Sequence, residues 1–196
     1  INYCVTEAVK DCLKKIGRQG GYYKVGDMYF VDFSGRKYIV VYSIQGNFYN
    51  HYPSLDRIEK SVMECMEGEG WGKVDACVKL DSFKRFFDIQ QGNRAIDLSF
   101  EEEDVFIDII WPMNLSKTTL TGKVVQAIEQ KDSSLPMAIK KVWEVGNDIV
   151  NMEVEGNPWV NNGDKYIRDH TETLKYIELR VQYYPCLLYT SDAADE

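Results

Sequence analysis

The chain of 196 residues lacks several features that would assign it to a common class. It has no Cys-x-x-Cys pair, no apolar run of the length that a membrane span requires, and no complete phosphate-binding loop. Basic residues are in the minority, with 23 lysines and arginines against 31 aspartates and glutamates. We therefore expect no membrane-spanning segment, and binding to nucleic acid is disfavoured because the chain has no broad positive field.

The two ends of the sequence do not look like natural termini. Residues 186–196 resemble the translation of a transposase-type sequencing adapter, so we expect them to lie outside the fold. The chain also starts at Ile1 without an initiator methionine, and we expect both natural ends to be missing. Without the three acids of the tail, 23 basic and 28 acidic residues remain, a net charge of −5.

Four cysteines remain in residues 1–185, namely Cys4, Cys12, Cys65 and Cys77. Cys12 and Cys65 fall on the apolar faces of predicted helices, where an unpaired cysteine packs as a small hydrophobe. No two of the four have the spacing of a metal site or a redox pair. We therefore expect reduced thiols in a cytoplasmic protein of bacterial or phage origin.

The first strand-like region is rich in tyrosine and β-branched residues. It falls into runs at residues 22–25, 28–33, 36–44 and 48–52, separated by turn residues. A two-residue turn at Ser34-Gly35 predicts a hairpin with chemically compatible facing residues. The expected pairs are Phe33 with Arg36, Asp32 with Lys37, Phe30 with Ile39, and Met28 with Val41.

Two further strand regions have apolar residues at alternate positions. The first is a hairpin in which residues 96–100 and 105–111 flank an acidic turn at residues 101–104. The second is a C-terminal strand at residues 177–183. Alternation also predicts a strand at residues 74–80.

Helical spacing of apolar residues predicts a helix at residues 5–16 and another that begins at Pro53-Ser54 and ends at Gly68 and Gly70. A longer helix is expected at residues 135–152, with Ser134 as its N-cap. Short helices are expected within residues 82–91 and 124–128. Together the patterns predict one α+β domain over residues 1–185, a mostly antiparallel sheet built from the tyrosine-rich meander, the later hairpin and the C-terminal strand, with amphipathic helices packed on one face.

The later hairpin contains the most unusual polar pair in the sequence. A four-residue turn at residues 101–104 places Asp97 directly opposite Asp108, and like charges at that distance repel. Water, a shared proton or a cation between the carboxylates would relieve the repulsion. Mg²⁺ or Mn²⁺ is the functional solution, because both bind carboxylate oxygens and orient phosphates. The alternative is a pair of solvated aspartates on the wet face of an antiparallel hairpin.

The sequence Phe106-Ile107-Asp108-Ile109-Ile110-Trp111-Pro112 resembles the strand that carries a metal-binding aspartate in nucleotidyltransferases. The resemblance implies a role for Asp108 as a metal ligand. The chain departs from that family because it has no Gly-Ser loop and no paired Asp-x-Asp strand. A third carboxylate would have to come from elsewhere, for example Asp32 or Asp75.

The end of the tyrosine-rich meander is the other candidate site. Tyr49, His51 and Tyr52 could form part of a partner surface, because tyrosine offers a broad contact area with a polar tip. Aromatic residues are also favoured in strands for packing alone. His51 and His170 have no second ligand at zinc-site spacing, so we expect structural roles for them.

The leading hypothesis is a non-catalytic protein–protein interaction or assembly module without a cofactor, which binds a protein partner or a second copy of itself. It follows mainly from the lack of a complete catalytic motif. The alternative is a metal-dependent phosphoryl or nucleotidyl transfer enzyme that uses Asp97 and Asp108 with Mg²⁺ or Mn²⁺.

Overall fold

The computed structural model describes residues 1–24, 30–33, 36–39, 42–44, 48–50, 52–120, 122–128 and 132–154. All of them belong to the unit that internal contacts delimit at Ile1–Trp159. Helices and antiparallel sheets together confirm the predicted α+β class. His51, His170, the C-terminal strand expected at residues 177–183 and the tail at 186–196 lie outside the described residues.

Four α-helices are present in the described part of the chain: α1 Asn2–Gly17, α2 Leu55–Cys65, α3 Trp71–Val78 and α4 Ile139–Val154. Ser54 is the N-cap of α2, and its hydroxyl accepts a hydrogen bond from the backbone N–H of Arg57 at 3.2 Å. None of the described helices is both long and apolar enough to cross a bilayer.

The described strands form four separate antiparallel sheets. Two are two-stranded, β1 with β2 and β3 with β4. The core sheet has the order β10-β7-β6, and the outer sheet has the order β5-β8-β9. The strand bounds are β1 Phe30–Phe33, β2 Arg36–Ile39, β3 Tyr42–Ile44, β4 Phe48–Asn50, β5 Asp88–Gln91, β6 Ala95–Phe100, β7 Val105–Ile110, β8 Met113–Thr119, β9 Gly122–Ile128 and β10 Ser133–Leu135.

The registers of both predicted hairpins are confirmed where they are described. Phe33 pairs with Arg36, Asp32 with Lys37 and Phe30 with Ile39, whereas Met28 and Val41 lie outside the described residues. In the later hairpin Phe100 pairs with Val105, so the acidic turn has the expected four residues. Turn length and side-chain alternation together fix such registers.

The hydrophobic core lies between one face of the core sheet and the helices α1, α2 and α3. Alternate residues of β6 and β7 point into it, and the residues between them are mostly exposed. Helices therefore cover one side of this sheet and leave the other side open. The buried members include Val5, Val9 and Ile16 of α1, Val62 of α2, Val74 of α3, and Leu98, Val105, Ile107 and Leu135 of the core sheet.

The strand expected at residues 74–80 is wrong, because Trp71–Val78 is helix α3. Val74 and Val78 are four residues apart, a spacing that fits one face of a helix as well as alternate positions of a strand. Gly68 and Gly70 also fail to end the preceding helix. A π-helical turn, Met66–Gly70, leads from α2 directly into α3.

The short helix expected at residues 124–128 is wrong as well, because this segment belongs to strand β9. Val124 and Val125 are β-branched and pair with Lys117 and Ser116 of β8. The helix expected within residues 82–91 is replaced by a 3₁₀ turn at Leu80–Ser82, further turns and strand β5.

Helix α4 starts at Ile139, later than predicted, and Ser134 is not its N-cap. Ser134 instead lies in β10, where it pairs with Phe106 of β7. A proline disfavours the helical conformation of the residue before it, so Leu135 stays extended ahead of Pro136. The Leu135 side chain packs in the core.

The expectation of reduced thiols is also wrong. Disulfides join Cys4 to Cys77 and Cys12 to Cys65. Both bonds link α1 to the continuous helical segment that runs from α2 into α3. Sequence spacing gives no sign of this pairing, since the partners are 73 and 53 residues apart and meet only when the apolar faces of the helices pack.

Candidate interaction surface

Asp97 and Asp108 face each other on the open side of the core sheet, as the turn length predicted. Both side chains are exposed. One Asp97 carboxylate oxygen accepts a hydrogen bond from the backbone N–H of Leu98 at 3.0 Å. The pair therefore lies on a wet face and not in a closed pocket.

A further acid, Asp132, lies beside Asp108 on the open face, and the sequence did not single it out. The pKa of Asp108 is raised above its ordinary value because the carboxyl is partly desolvated, because Asp132 forms a hydrogen bond with it, and because Asp97 is close. Glu59 of α2 also has a raised pKa, through desolvation and the negative charges of Asp97 and Asp56. A carboxyl in such surroundings holds its proton more tightly.

The acids suggested as a third metal ligand are placed differently. Asp75 lies on α3 and forms an ion pair with Arg94, whose guanidinium group packs against the rings of Trp71 and Trp111. Asp32 lies in β1, where its backbone is opposite Lys37 of β2. Among the described residues, no three His, Cys, Asp or Glu side chains are arranged to hold a metal ion.

Of the three candidates at the end of the meander, the structure describes Tyr49 and Tyr52. Tyr49 lies in β4 opposite Ser43, and His51 is outside the described residues. Tyr52 is partly buried, its ring centroid lies 6.4 Å from that of Trp143, and burial raises the pKa of its phenol.

Tyr52 lines an apolar cavity of about 180 Å³ where α1, α2 and α4 approach each other. The indole N–H of Trp143 donates to the backbone carbonyl of Pro53 at 2.6 Å. Gly21, with φ of +94°, makes the close turn under Pro53, and a Cβ there would lie 2.5 Å from the Pro53 ring. Gly21, Pro53 and Trp143 all line this cavity.

The outer sheet is the surface that sequence reasoning missed. Every residue of β9 from Gly122 to Ala127 is exposed, and the sheet is open on both faces there. Val124 and Val125 point to opposite faces with 58% and 59% of their surface accessible. A helix was expected here from the spacing of Val124, Val125 and Ile128. Large exposed apolar residues in this part of the chain are Phe83, Phe86, Leu120, Val124 and Val125.

Beside the outer sheet lies a hollow of about 310 Å³ that we call the basic notch. It is defined by four cationic and two aromatic side chains. The run Lys84-Arg85-Phe86-Phe87 is the sequence signal that could have revealed it. Its two positive charges have the same sign as Lys117 and Lys123 of the β8–β9 hairpin, which line the same hollow. The members are Lys84, Arg85, Phe86, Phe87, Lys117 and Lys123.

In comparisons with known proteins, no family model, no curated protein and no solved structure matches this chain. Function therefore has to be argued from the geometry of these surfaces alone.

Proposed function

We propose that the chain is a non-catalytic protein–protein interaction module that assembles with further copies of itself through the outer sheet. The observation that carries this proposal is the exposure of Val124 and Val125 on opposite faces of β9. Within the described residues, β9 lies at the end of the outer sheet and pairs with β8. An exposed apolar edge strand is a template for pairing with another chain.

The composition of β9 also suits pairing between copies. Gly122–Ile128 contains one charged residue, Lys123, and four aliphatic ones. An antiparallel pair centred on Val125 would place Lys123 opposite Ala127 of the second copy, with no like charges facing each other. Natural edges that must stay single carry more charge or a proline.

The compartment that we propose is an oxidising one, outside the cytoplasm. Two disulfides in one small unit support this, because thiols in the cytoplasm are kept reduced. The proposal replaces the cytoplasmic location expected from the cysteine spacing. A bacterial or phage origin remains a proposal of the same kind.

Sedimentation velocity over a wide micromolar range tests the assembly. We expect the mass of the wild-type chain to rise with concentration and the variant Val124→Lys/Val125→Lys to stay monomeric, because lysine on an edge blocks pairing. The matched control is Tyr3→Lys/Val142→Lys, which adds the same charge at exposed apolar residues on α1 and α4. A monomeric wild type, or equal loss in the control, would contradict the proposal.

A metal-dependent phosphoryl or nucleotidyl transfer enzyme is the second candidate. The facing carboxylates of Asp97 and Asp108 support it, since their repulsion favours a cation between them. The test is thermal unfolding with and without millimolar Mg²⁺ or Mn²⁺. Stabilisation that disappears in Asp108→Asn would favour the enzyme, and an unchanged midpoint would exclude these ions at this pair.

A further inference from the structure

The basic notch concentrates positive charge in a chain that is acidic overall. Four cations line a hollow of about 310 Å³, whereas the whole chain carries a net charge of −8. Asp88 is the acid among the lining residues, and its carboxylate accepts a hydrogen bond from the Ser116 hydroxyl at 3.3 Å. An excess of positive charge therefore remains inside the notch.

Among the residues that the structure describes, ion pairs balance little of this charge. Lys84 contacts Asp81 at 2.6 Å, and this pair is exposed, with 55% and 90% of the two side chains accessible. Exposed ion pairs are weak and leave the lysine available to a better anionic ligand. Bringing four cations together costs Coulomb energy, and a bound anion would recover it.

Two phenylalanines hold cations at the notch in place. The Arg85 guanidinium carbon lies 4.7 Å from the centroid of the Phe86 ring, and the Lys117 ammonium lies 5.8 Å from that of Phe87. Such contacts orient the charged groups while part of each ring stays free for apolar contact. Phe86 keeps 55% of its surface accessible.

The notch also lies beside an open stretch of strand. β5 pairs with β8 only up to Ser116, where Asp88 begins the pairing. In the described residues, no strand lies on that side of Lys117 and Thr118, although both pair with β9 on the other side. An extended segment could therefore continue the sheet there by strand addition.

We propose that the basic notch binds an acidic, extended peptide segment of a partner protein. Its carboxylates contact Lys84, Arg85, Lys117 and Lys123, and an apolar side chain packs on Phe86. This proposal rests on the function proposed above and names a partner for it, at a surface next to the β9 edge. The notch is short and the rest of the chain is acidic, so a long polyanion such as nucleic acid would be repelled beyond it.

Fluorescence anisotropy with a labelled peptide that alternates glutamate with valine and phenylalanine tests the proposal at low ionic strength. We expect saturable binding that weakens steeply with salt. The variant Lys117→Glu/Lys123→Glu should bind at least tenfold more weakly. The matched control Lys14→Glu/Lys60→Glu reverses two exposed charges on α1 and α2 and should bind as the wild type does.

Other probes separate the alternatives. Equal or tighter binding of a single-stranded oligonucleotide, full competition by inorganic phosphate at the peptide's own concentration, or equal loss of binding in the control variant would each overturn the proposal. The Val124→Lys/Val125→Lys variant should still bind the peptide. If the wild-type chain self-associates but does not bind the peptide, the proposal for the basic notch is refuted and the proposed assembly stands. If it binds the peptide but stays monomeric, the notch is supported and the proposed assembly through the outer sheet is refuted.

Discussion

Individual residues on the open face of the core sheet carry charge that the fold does not neutralise. Asp108 lies opposite Asp97 and shares a hydrogen bond with Asp132. Since its pKa is higher in the folded chain than in the unfolded chain, folding is favoured while Asp108 is protonated. That contribution is lost as pH rises through the folded pKa.

Replacement of this carboxyl should therefore stabilise the protein. We expect Asp108→Asn to raise the thermal unfolding midpoint at pH 7 by roughly 1–2 °C. The difference should disappear below the ordinary carboxyl pKa of 3.8, where the wild-type side chain is neutral in both states. Unfolding curves between pH 3 and pH 8 would measure it, with Glu67→Gln as the exposed control. A lower midpoint at pH 7 would contradict the assignment.

The sequence predicted the facing aspartates but not their neighbours. Side-chain alternation and a turn of known length determine the residue across a hairpin, so Asp97 and Asp108 follow from local information. Asp132 reaches the same face through β10, a strand whose pairing with β7 depends on the whole fold. Likewise, nothing local places Tyr52 beside Trp143.

At the scale of elements, one error in prediction occurs where the helical and the strand periodicity fit the same residues. Val74 and Val78 satisfy a strand and a helix equally, and burial against α1 decides for the helix. β9 has no alternation because both of its faces are exposed, so its pairing with β8 makes it a strand. Helix α1 and the start of α2, each with a clear apolar face, were predicted correctly.

Both disulfides involve α1, but they differ in how accessible their sulfur atoms are to solvent. Cys12 and Cys65 are 2% and 0% accessible, whereas Cys77 is exposed. Exchange requires that a thiolate reach the sulfur, so a mild reductant should open Cys4–Cys77 first. We expect Cys4–Cys77 to be reduced at least tenfold faster than Cys12–Cys65. Timed alkylation and peptide mass mapping would measure both rates, and preferential opening of Cys12–Cys65 would contradict the packing described.

At the scale of the whole molecule, the disulfides determine how far the fold depends on its surroundings. A cross-link lowers the entropy of the unfolded chain, and closed loops of this size are worth several kcal/mol. We expect complete reduction to lower the free energy of unfolding by roughly 3–5 kcal/mol. Urea unfolding with and without reductant would measure the change.

A variant without the four paired cysteines provides the control for that measurement. Alanine at Cys4, Cys12, Cys65 and Cys77 should give the stability of the reduced chain, and reductant should leave it unchanged. Equal stability of oxidised and reduced wild type would show that the bonds do not contribute to folding. It would also remove the support for an oxidising compartment.

The order of the bridged cysteines along the chain has a consequence for how the protein matures. Cys4–Cys77 encloses Cys12–Cys65, so the bonds are nested and neither strand of the chain has to thread through a closed ring. Once the inner bond has formed, only short stretches on either side separate the outer pair, and the chain entropy lost in joining it is small. Exchanged partners, Cys4 with Cys65 and Cys12 with Cys77, would require α1 to reverse its direction along the α2–α3 segment. Maturation should therefore need an oxidant but little help from an isomerase.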